Sequence, residues 1–133
     1  MDGEKQTPLH RAIRENETEE GNRKSVIKEL LQNGGDVNLK DCHNATPLHY
    51  ATSEPEDLFQ DLLNQFTDPN IKGFEDGETL LHIATTSESE SNVKTLMRYG
   101  ADPNIRDYNL ISCLENALIF EHKGVFKVMI YNN

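Results

Sequence analysis

Five histidines, two cysteines and 23 acidic side chains are the groups in this 133-residue chain that could move protons, attack an electrophile or hold a metal. The histidines are His10, His43, His49, His82 and His122, and the cysteines are Cys42 and Cys113. Cys42-His43 is the one local pair with metal-like chemistry, but a zinc site needs a second spaced pair of Cys or His ligands and none accompanies it. There is no glycine-rich phosphate loop, no metalloprotease helix with two histidines four apart, and no serine nucleophile elbow. The carboxylates stand in polar stretches, so none is expected to have a raised pKa of the kind that marks a general acid. These residues predict no catalytic side chain, no bound metal and no cofactor. Three of the histidines instead share one place in a recurring motif, which turns attention to the elements that carry them.

Thr7-Pro8-Leu9-His10-Arg11-Ala12 returns as Thr46-Pro47-Leu48-His49-Tyr50-Ala51 and as Thr79-Leu80-Leu81-His82-Ile83-Ala84. A worn fourth copy reads Ser112-Cys113-Leu114-Glu115-Asn116-Ala117. The offsets are 46−7=39, 79−46=33 and 112−79=33. A second motif keeps phase with the first: Gly34-Gly35-Asp36-Val37-Asn38, Phe66-Thr67-Asp68-Pro69-Asn70 and Gly100-Ala101-Asp102-Pro103-Asn104. Each Thr can cap a helix, and Pro8 and Pro47 fit the first helical position, where a missing N–H costs nothing. Leu9, Ala12 and Ile13 make a helical stripe, as do Leu48 and Ala51, and Leu81 and Ala84. A second helix follows in each unit: Val26, Ile27, Leu30 and Leu31; then Leu58, Leu62 and Leu63; then Val93, Leu96 and Met97. Gly34 and Gly100 suit the left-handed residue that ends a helix, and Asp41, Asp76-Gly77 and Asp107 suit the connecting turns. Units this small cannot bury an apolar face alone and must stack.

The T-P-L-H-x-A motif at a 33-residue period resembles the ankyrin repeat. The resemblance covers nearly all of residues 1–133, read as one domain with repeats near 5–38, 42–70, 75–104 and 108–133. It implies an all-α solenoid of helix-turn-helix units joined by hairpin-like turns. It also implies that the motif histidines have a structural, hydrogen-bonding role.

Composition narrows the partner. The net charge is −10 and hydrophobic residues make up 35%, which suits a thin structure with much surface and argues against nucleic acid and anionic membrane. The N-terminus is charged and has no apolar core, so it does not read as a signal peptide. No apolar run approaches the ~20 residues of a membrane span. Two cysteines imply no disulfide framework, and the N-x-T sequons at Asn16 and Asn44 are read as chance matches. The expected location is therefore the cytoplasm, the nucleus or both.

Departures from the period are informative. Repeat one carries six extra residues within 15–22, a polar bulge or acidic finger between its helices. In repeat two, Pro55 is expected to start the second helix, and Phe66 replaces the helix-ending Gly. Ser87, with Glu90 three residues on, suits an acid-directed kinase. Asn38, Asn70 and Asn104 each follow an Asp by two residues and a Leu by eight, which resembles the pattern modified by the asparaginyl hydroxylase that acts on ankyrin domains. In the last repeat, Leu114, Ala117, Leu118, Val125, Val128 and Met129 are expected to face repeat three. Phe126, Ile130 and Tyr131 then point away, so that end is expected to be covered by further chain, a partner or a second copy.

The resemblance implies binding through hairpin tips and the exposed side of each first helix. Residue by residue, the partner-binding candidates are Arg11, Arg14, Tyr50, Ser53, Glu54, Phe74, Glu75, Thr86, Arg106 and Tyr108. Further candidates are Lys40, Asp41, His43, Lys72, Glu15 and Ile83. Tyr50, Phe74 and Tyr108 are expected on one concave side, since exposed aromatics are enriched at binding hot spots. The function expected is an adaptor, or an inhibitor that occludes another protein. Alternatives are a recognition domain of a longer protein whose effector region lies elsewhere, or a pathogen- or parasite-type effector that mimics an inhibitor of a Rel-type transcription factor.

Overall fold

A computed structural model describes residues 5–14, 20–52, 56–65 and 68–131. Its helices run α1 (Pro8–Arg14), α2 (Glu20–Gln32), α3 (Pro47–Ala51), α4 (Glu56–Leu63), α5 (Leu80–Thr86), α6 (Glu90–Arg98), α7 (Cys113–Ile119) and α8 (Lys123–Tyr131). The odd-numbered helices contact one another in chain order, α4 touches α6, and α6 touches α8. The result is two stacked rows of helices, and no strand occurs among the described residues beyond isolated bridges at Gly73–Glu78 and Arg106–Ser112. The all-α solenoid expected from the motif is the observed architecture.

Each first helix starts at a Thr or Ser that meets the third helical residue. In α5, Thr79 Oγ1 accepts from the His82 amide at 3.3 Å, and the Thr79 amide donates to His82 Nδ1 at 3.2 Å. Thr79 Oγ1 also lies 2.8 Å from Nδ1. The same pairing joins Thr7 to His10 and Thr46 to His49. The other ring nitrogen reaches into the next repeat: His10 Nε2 lies 2.9 Å from the Ala45 carbonyl, and His82 Nε2 lies 2.8 Å from the Ile111 carbonyl. An imidazole that accepts at Nδ1 must donate at Nε2, so one ring caps its own helix and ties down the neighbouring hairpin.

The hairpins are shaped by carboxylates and by backbone sign. Asp41 Oδ1 accepts the amides of His43 and Ala45, and Asp107 Oδ1 accepts those of Asn109 and Ile111. Two residues before each cap the chain turns left-handed, at Lys5, Asn44, Gly77 and Leu110. Gly and Asn accept that conformation cheaply; a branched Leu does not. In the second helices, Gly34 and Gly100 take the left-handed conformation expected of helix-ending glycines.

The core runs the length of the array: Leu9 and Ile13, Ile27, Leu48, Phe59 and Leu62, Leu80 and Leu81, Val93 and Leu96, and Val125 and Met129 are all buried. Phe59 is the largest fully buried side chain among the described residues. On α2, Ile27 takes the inward place and Val26 is 45% exposed. Two expectations need correction. Part of the supposed bulge at 15–22 is helix, since α2 already begins at Glu20. Leu118 does not face repeat three: it is 61% exposed. It stands 33 residues after Thr85, which is buried in repeat three, whereas among the described residues no following repeat covers Leu118. Pro55, Phe66 and residues 15–19 lie outside the described residues.

Two outcomes follow from this architecture. Leu110→Gly should raise stability by about 1 kcal/mol, by relieving a left-handed Leu that buries little; an unchanged or lowered melting midpoint would show that the turn is unstrained. The second concerns His49. Burial pushes its ring pKa down from 6.5 to about 4. Above pH 6.5 the ring is neutral in both states; between 6.5 and 4 only the unfolded chain takes the proton. Stability should fall across that window by about 3 kcal/mol and then level off. His49→Asn keeps an acceptor for the cap and should remove that part of the pH slope, measured by urea unfolding at several pH values.

Candidate functional site

The surface with the densest set of sequence-predicted residues runs along the hairpins and the adjoining sides of the first helices. Tyr50, on α3, is half-buried there. Its hydroxyl donates to Asp41 Oδ2 at 2.5 Å, and the Arg14 guanidinium lies 4.8 Å from its ring centre. Phe74, at the tip of the repeat-three hairpin, meets Tyr50 edge-on at 5.5 Å between ring centres and His49 at 5.6 Å. Tyr108 rests on the same hairpin from the other side. Its amide donates to the Asp76 carbonyl at 2.8 Å, and its ring sits so close over Gly77 that an added Cβ would come within 2.6 Å. Tyr50, Phe74 and Tyr108 are thus brought to one hairpin, residues 73–78. Phe74 packs on the repeat before it and Tyr108 joins from the repeat after it. Tyr108 remains 60% exposed, whereas Tyr50 and Phe74 spend much of their surface on each other.

Electrostatics follow from these contacts. Burial pushes the Asp41 carboxyl up, but hydrogen bonds from the Tyr50 hydroxyl and the Ala45 and His43 amides outweigh it and hold the pKa below the ordinary value. Burial and the Asp41 bond together push the Tyr50 hydroxyl well above its usual range. Asp41 is therefore an internal brace, buried at 6% exposure, and not the exposed tip contact that its place in the turn suggested. Glu78 departs from the sequence reading as well: burial raises its carboxyl pKa, with the charges of Asp76 and Asp107 adding to the shift. Its neighbourhood is built by the fold rather than by an apolar run, so the sequence carries no signal for it. The Cys113 thiol is pushed up to about 12 by burial, which makes it a packing residue and a poor nucleophile. Cys42 is exposed.

The remaining candidates lie as follows. Arg11 and Arg14 are exposed on the last turn of α1. Glu75 is exposed at the hairpin tip, and Arg106 is exposed with its guanidinium 4.0 Å from Glu115. Thr86 is exposed at the end of α5, where its hydroxyl donates to the His82 carbonyl at 3.0 Å. Ser53, Glu54 and Glu15 lie outside the described residues. Ser87 is an exposed C-cap whose amide donates to the Ile83 carbonyl. Asn38 and Asn104 are exposed and Asn70 is half-buried. The amide of each donates to the Asp two residues before it, at 2.8, 2.9 and 2.9 Å for Asn38, Asn70 and Asn104. Asn70 Oδ1 also accepts the Asp102 amide at 2.8 Å, linking one turn to the next.

A second surface was only partly anticipated. At the C-terminal end Leu118, Ile119, Phe120, Ile130 and Tyr131 are all exposed. An apolar recess of about 370 Å³ lies between Leu118, Ala117 and Phe126, edged by Glu121, Lys123 and Lys127. Among the described residues no three His, Cys, Asp or Glu side chains converge as metal ligands. No described helix is long and apolar enough to cross a membrane.

Comparison with known proteins completes the picture. A family profile for ankyrin repeats (three copies) matches residues 1–73 and 18–107. The chain is 36% identical over 89 residues to the palmitoyltransferase Hip14 of Drosophila melanogaster, covering 66% of this chain and 14% of that protein. It is 33% identical over 105 residues to the nuclear factor NF-kappa-B p105 subunit of Gallus gallus, covering 77% of this chain and 10% of that one. The human transient receptor potential cation channel subfamily A member 1 is likewise 33% identical over 105 residues, of which the match covers 9%. The chain thus spans roughly a tenth of the length of these relatives. The profile match runs across the very units whose caps and hairpins repeat in space, and this chain belongs to the ankyrin-repeat family.

Proposed function

We propose that this chain is a binding adaptor or an occluding inhibitor that engages another protein through the side of the array centred on hairpin 73–78. Ankyrin repeats are generally protein-binding modules and typically not catalytic. The observation that carries the finer reading is the gathering of Tyr50, Phe74 and Tyr108 on one hairpin, with Arg14 against Tyr50. Aromatics and arginines concentrate binding energy because they bury much area for few rotatable bonds. The site adds Arg11, Glu75, Thr86 and Arg106 around them, and Ser53 and Glu54 by register. The site of action is the cytoplasm or nucleus. Asn38, Asn70, Asn104 and Ser87 are modification sites on this reading, and the exposure of Asn38, Asn104 and Ser87 supports it.

Three further readings have specific support. The relatives are each several times longer than the matched region, which favours a recognition domain whose effector region lies elsewhere. The likeness to the p105 subunit favours a pathogen-type effector that mimics an inhibitor of a Rel-type factor, although a palmitoyltransferase and a channel match at similar identity. The exposed C-terminal face favours self-association through that end.

Tyr108→Ala and Phe74→Ala should each weaken a partner recovered by affinity capture by about tenfold or more while the melting midpoint of Tyr108→Ala stays put, as expected for hot-spot truncation. Unchanged affinity in both variants would sink the proposed face. Light scattering on the chain should show a dimer growing with concentration if its C-terminal face self-associates, and Ile130→Lys should remove it; a monomer at all concentrations would eliminate that reading.

A further inference from the structure

The same register position of three successive hairpins carries a cation. Lys40, Lys72 and Arg106 each stand two residues after the turn asparagine, at Asn38, Asn70 and Asn104. Those asparagines are fixed by identical bonds to Asp36, Asp68 and Asp102, so the three cations occupy matching places in space, one per repeat. Each is also steered along the array. Lys40 Nζ donates to the Lys72 carbonyl at 2.8 Å, and Lys72 Nζ lies 5.4 Å from the Tyr108 ring centre. Arg106 reaches forward to within 4.0 Å of Glu115. Two residues further on, the row reads Cys42, Phe74 and Tyr108, which sets two aromatic rings beside the cations.

The chain as a whole carries −10, so a cationic row is not what its composition predicts. The row stands out because the fold hides the two hairpin acids that adjoin it in sequence. Asp41 and Asp107, each next to a row cation, are buried and spend an oxygen on two hairpin amides. The exposed acids that remain nearby are Asp36, Asp68 and Asp102, each accepting from its turn asparagine, Glu75 and Asp76 on the middle hairpin, and Glu115 beside Arg106.

We infer that this row is a docking track for an extended acidic peptide segment of a partner protein, which rests on the hairpin-side binding reading above and names the chemistry it would take. The spacing sets the motif. Stacked helices lie roughly 8–10 Å apart, and a chain in the extended polyproline II form advances about 3.1 Å per residue with three residues per turn, so acids at every third residue share one face and meet successive cations. Intervening apolar side chains fall on Phe74 and Tyr108. Because Lys40 and Lys72 are already held by neighbours, little side-chain freedom is lost when the peptide binds.

The test uses the full chain and three labelled peptides in fluorescence anisotropy: one with Glu at every third residue among Gly, Ser and Leu, one with the same composition in scrambled order, and one with Lys in place of Glu. The in-register acidic peptide should bind best. Lys40→Glu with Arg106→Glu should weaken it by about tenfold, the loss expected from reversing two exposed charge pairs. Lys28→Glu with Lys94→Glu makes the same change in net charge away from the row and should leave it within about twofold. Equal loss in both double variants, or tighter binding of the Lys peptide, would overturn the inference. So would row-dependent binding of a single-stranded oligonucleotide in place of the peptide. If a captured partner is lost with Tyr108→Ala while the acidic peptide does not bind, the track fails and the binding face stands. If neither responds, both fail.

Discussion

A single imidazole doing two jobs organises this array. In each of the first three repeats a Thr hydroxyl and amide meet Nδ1 of the His three residues later, which satisfies donors that a helix start leaves free. That commits Nδ1 as acceptor and leaves Nε2–H to find a carbonyl in the next repeat. His10 and His82 find Ala45 and Ile111. His49 is the exception: Nε2 is buried with no partner of good geometry, although the Glu78 backbone lies beside it. Its ring presses on Gly73, which stands where the other hairpins have Asp41 and Asp107. A Cβ there would come within 2.5 Å of the ring. The middle rung is thus held by close packing more than by a hydrogen bond, and an unmade buried bond costs about 1–3 kcal/mol. In the fourth repeat Glu115 takes the histidine's place. It closes the cap from the Ser112 amide at 3.0 Å but has no second donor to pass on.

Fixing the hairpins in this way decides what the surface can offer. Once the carbonyl before each cap is anchored, Asp41 and Asp107 turn inward to the hairpin amides, and the adjacent Lys40 and Arg106 turn outward. Tyr50 is drawn to Asp41 and Phe74 closes on Tyr50. Tyr108 settles on Gly77, one of the left-handed positions two residues before a cap. The aromatic and cationic groups of the proposed binding side are therefore by-products of turn geometry repeated once per unit, and their alignment needs no dedicated scaffold. The C-terminal face obeys the same logic in reverse. Leu118 and Phe126 occupy the register of Thr85 and Val93, which are buried in repeat three.

Two phase-locked motifs made the fold and the places of helices legible, because caps, prolines and helix-ending glycines are local signals that tertiary packing then reinforced. The histidines' dual role was legible only through the family resemblance. Burial was less readable. Phe59 carries no clear sequence signal, because the short second helix of repeat two offers few residues from which to judge a period, yet it is fully buried in the core. Leu118 was set on the wrong side because an apolar residue one turn past Leu114 fits an inward stripe equally well, and only the register with Thr85 separates the two. The candidate site was legible as a set of register positions. That Tyr50 and Phe74 brace each other, that Asp41 is buried, and that Glu78 has a raised pKa depend on contacts between repeats, which no single repeat's sequence contains.

The dual-role imidazole can be observed directly. Long-range proton–nitrogen correlation spectra of the histidine rings at neutral pH distinguish the two neutral tautomers and show which nitrogen carries the proton. The account predicts that His10 and His82 carry a proton on Nε2 and have a bare, hydrogen-bonded Nδ1. Finding the proton on Nδ1 in either ring would mean that the ring cannot accept from its Thr while donating to the next repeat, and would contradict the ladder on which the stacked hairpins depend.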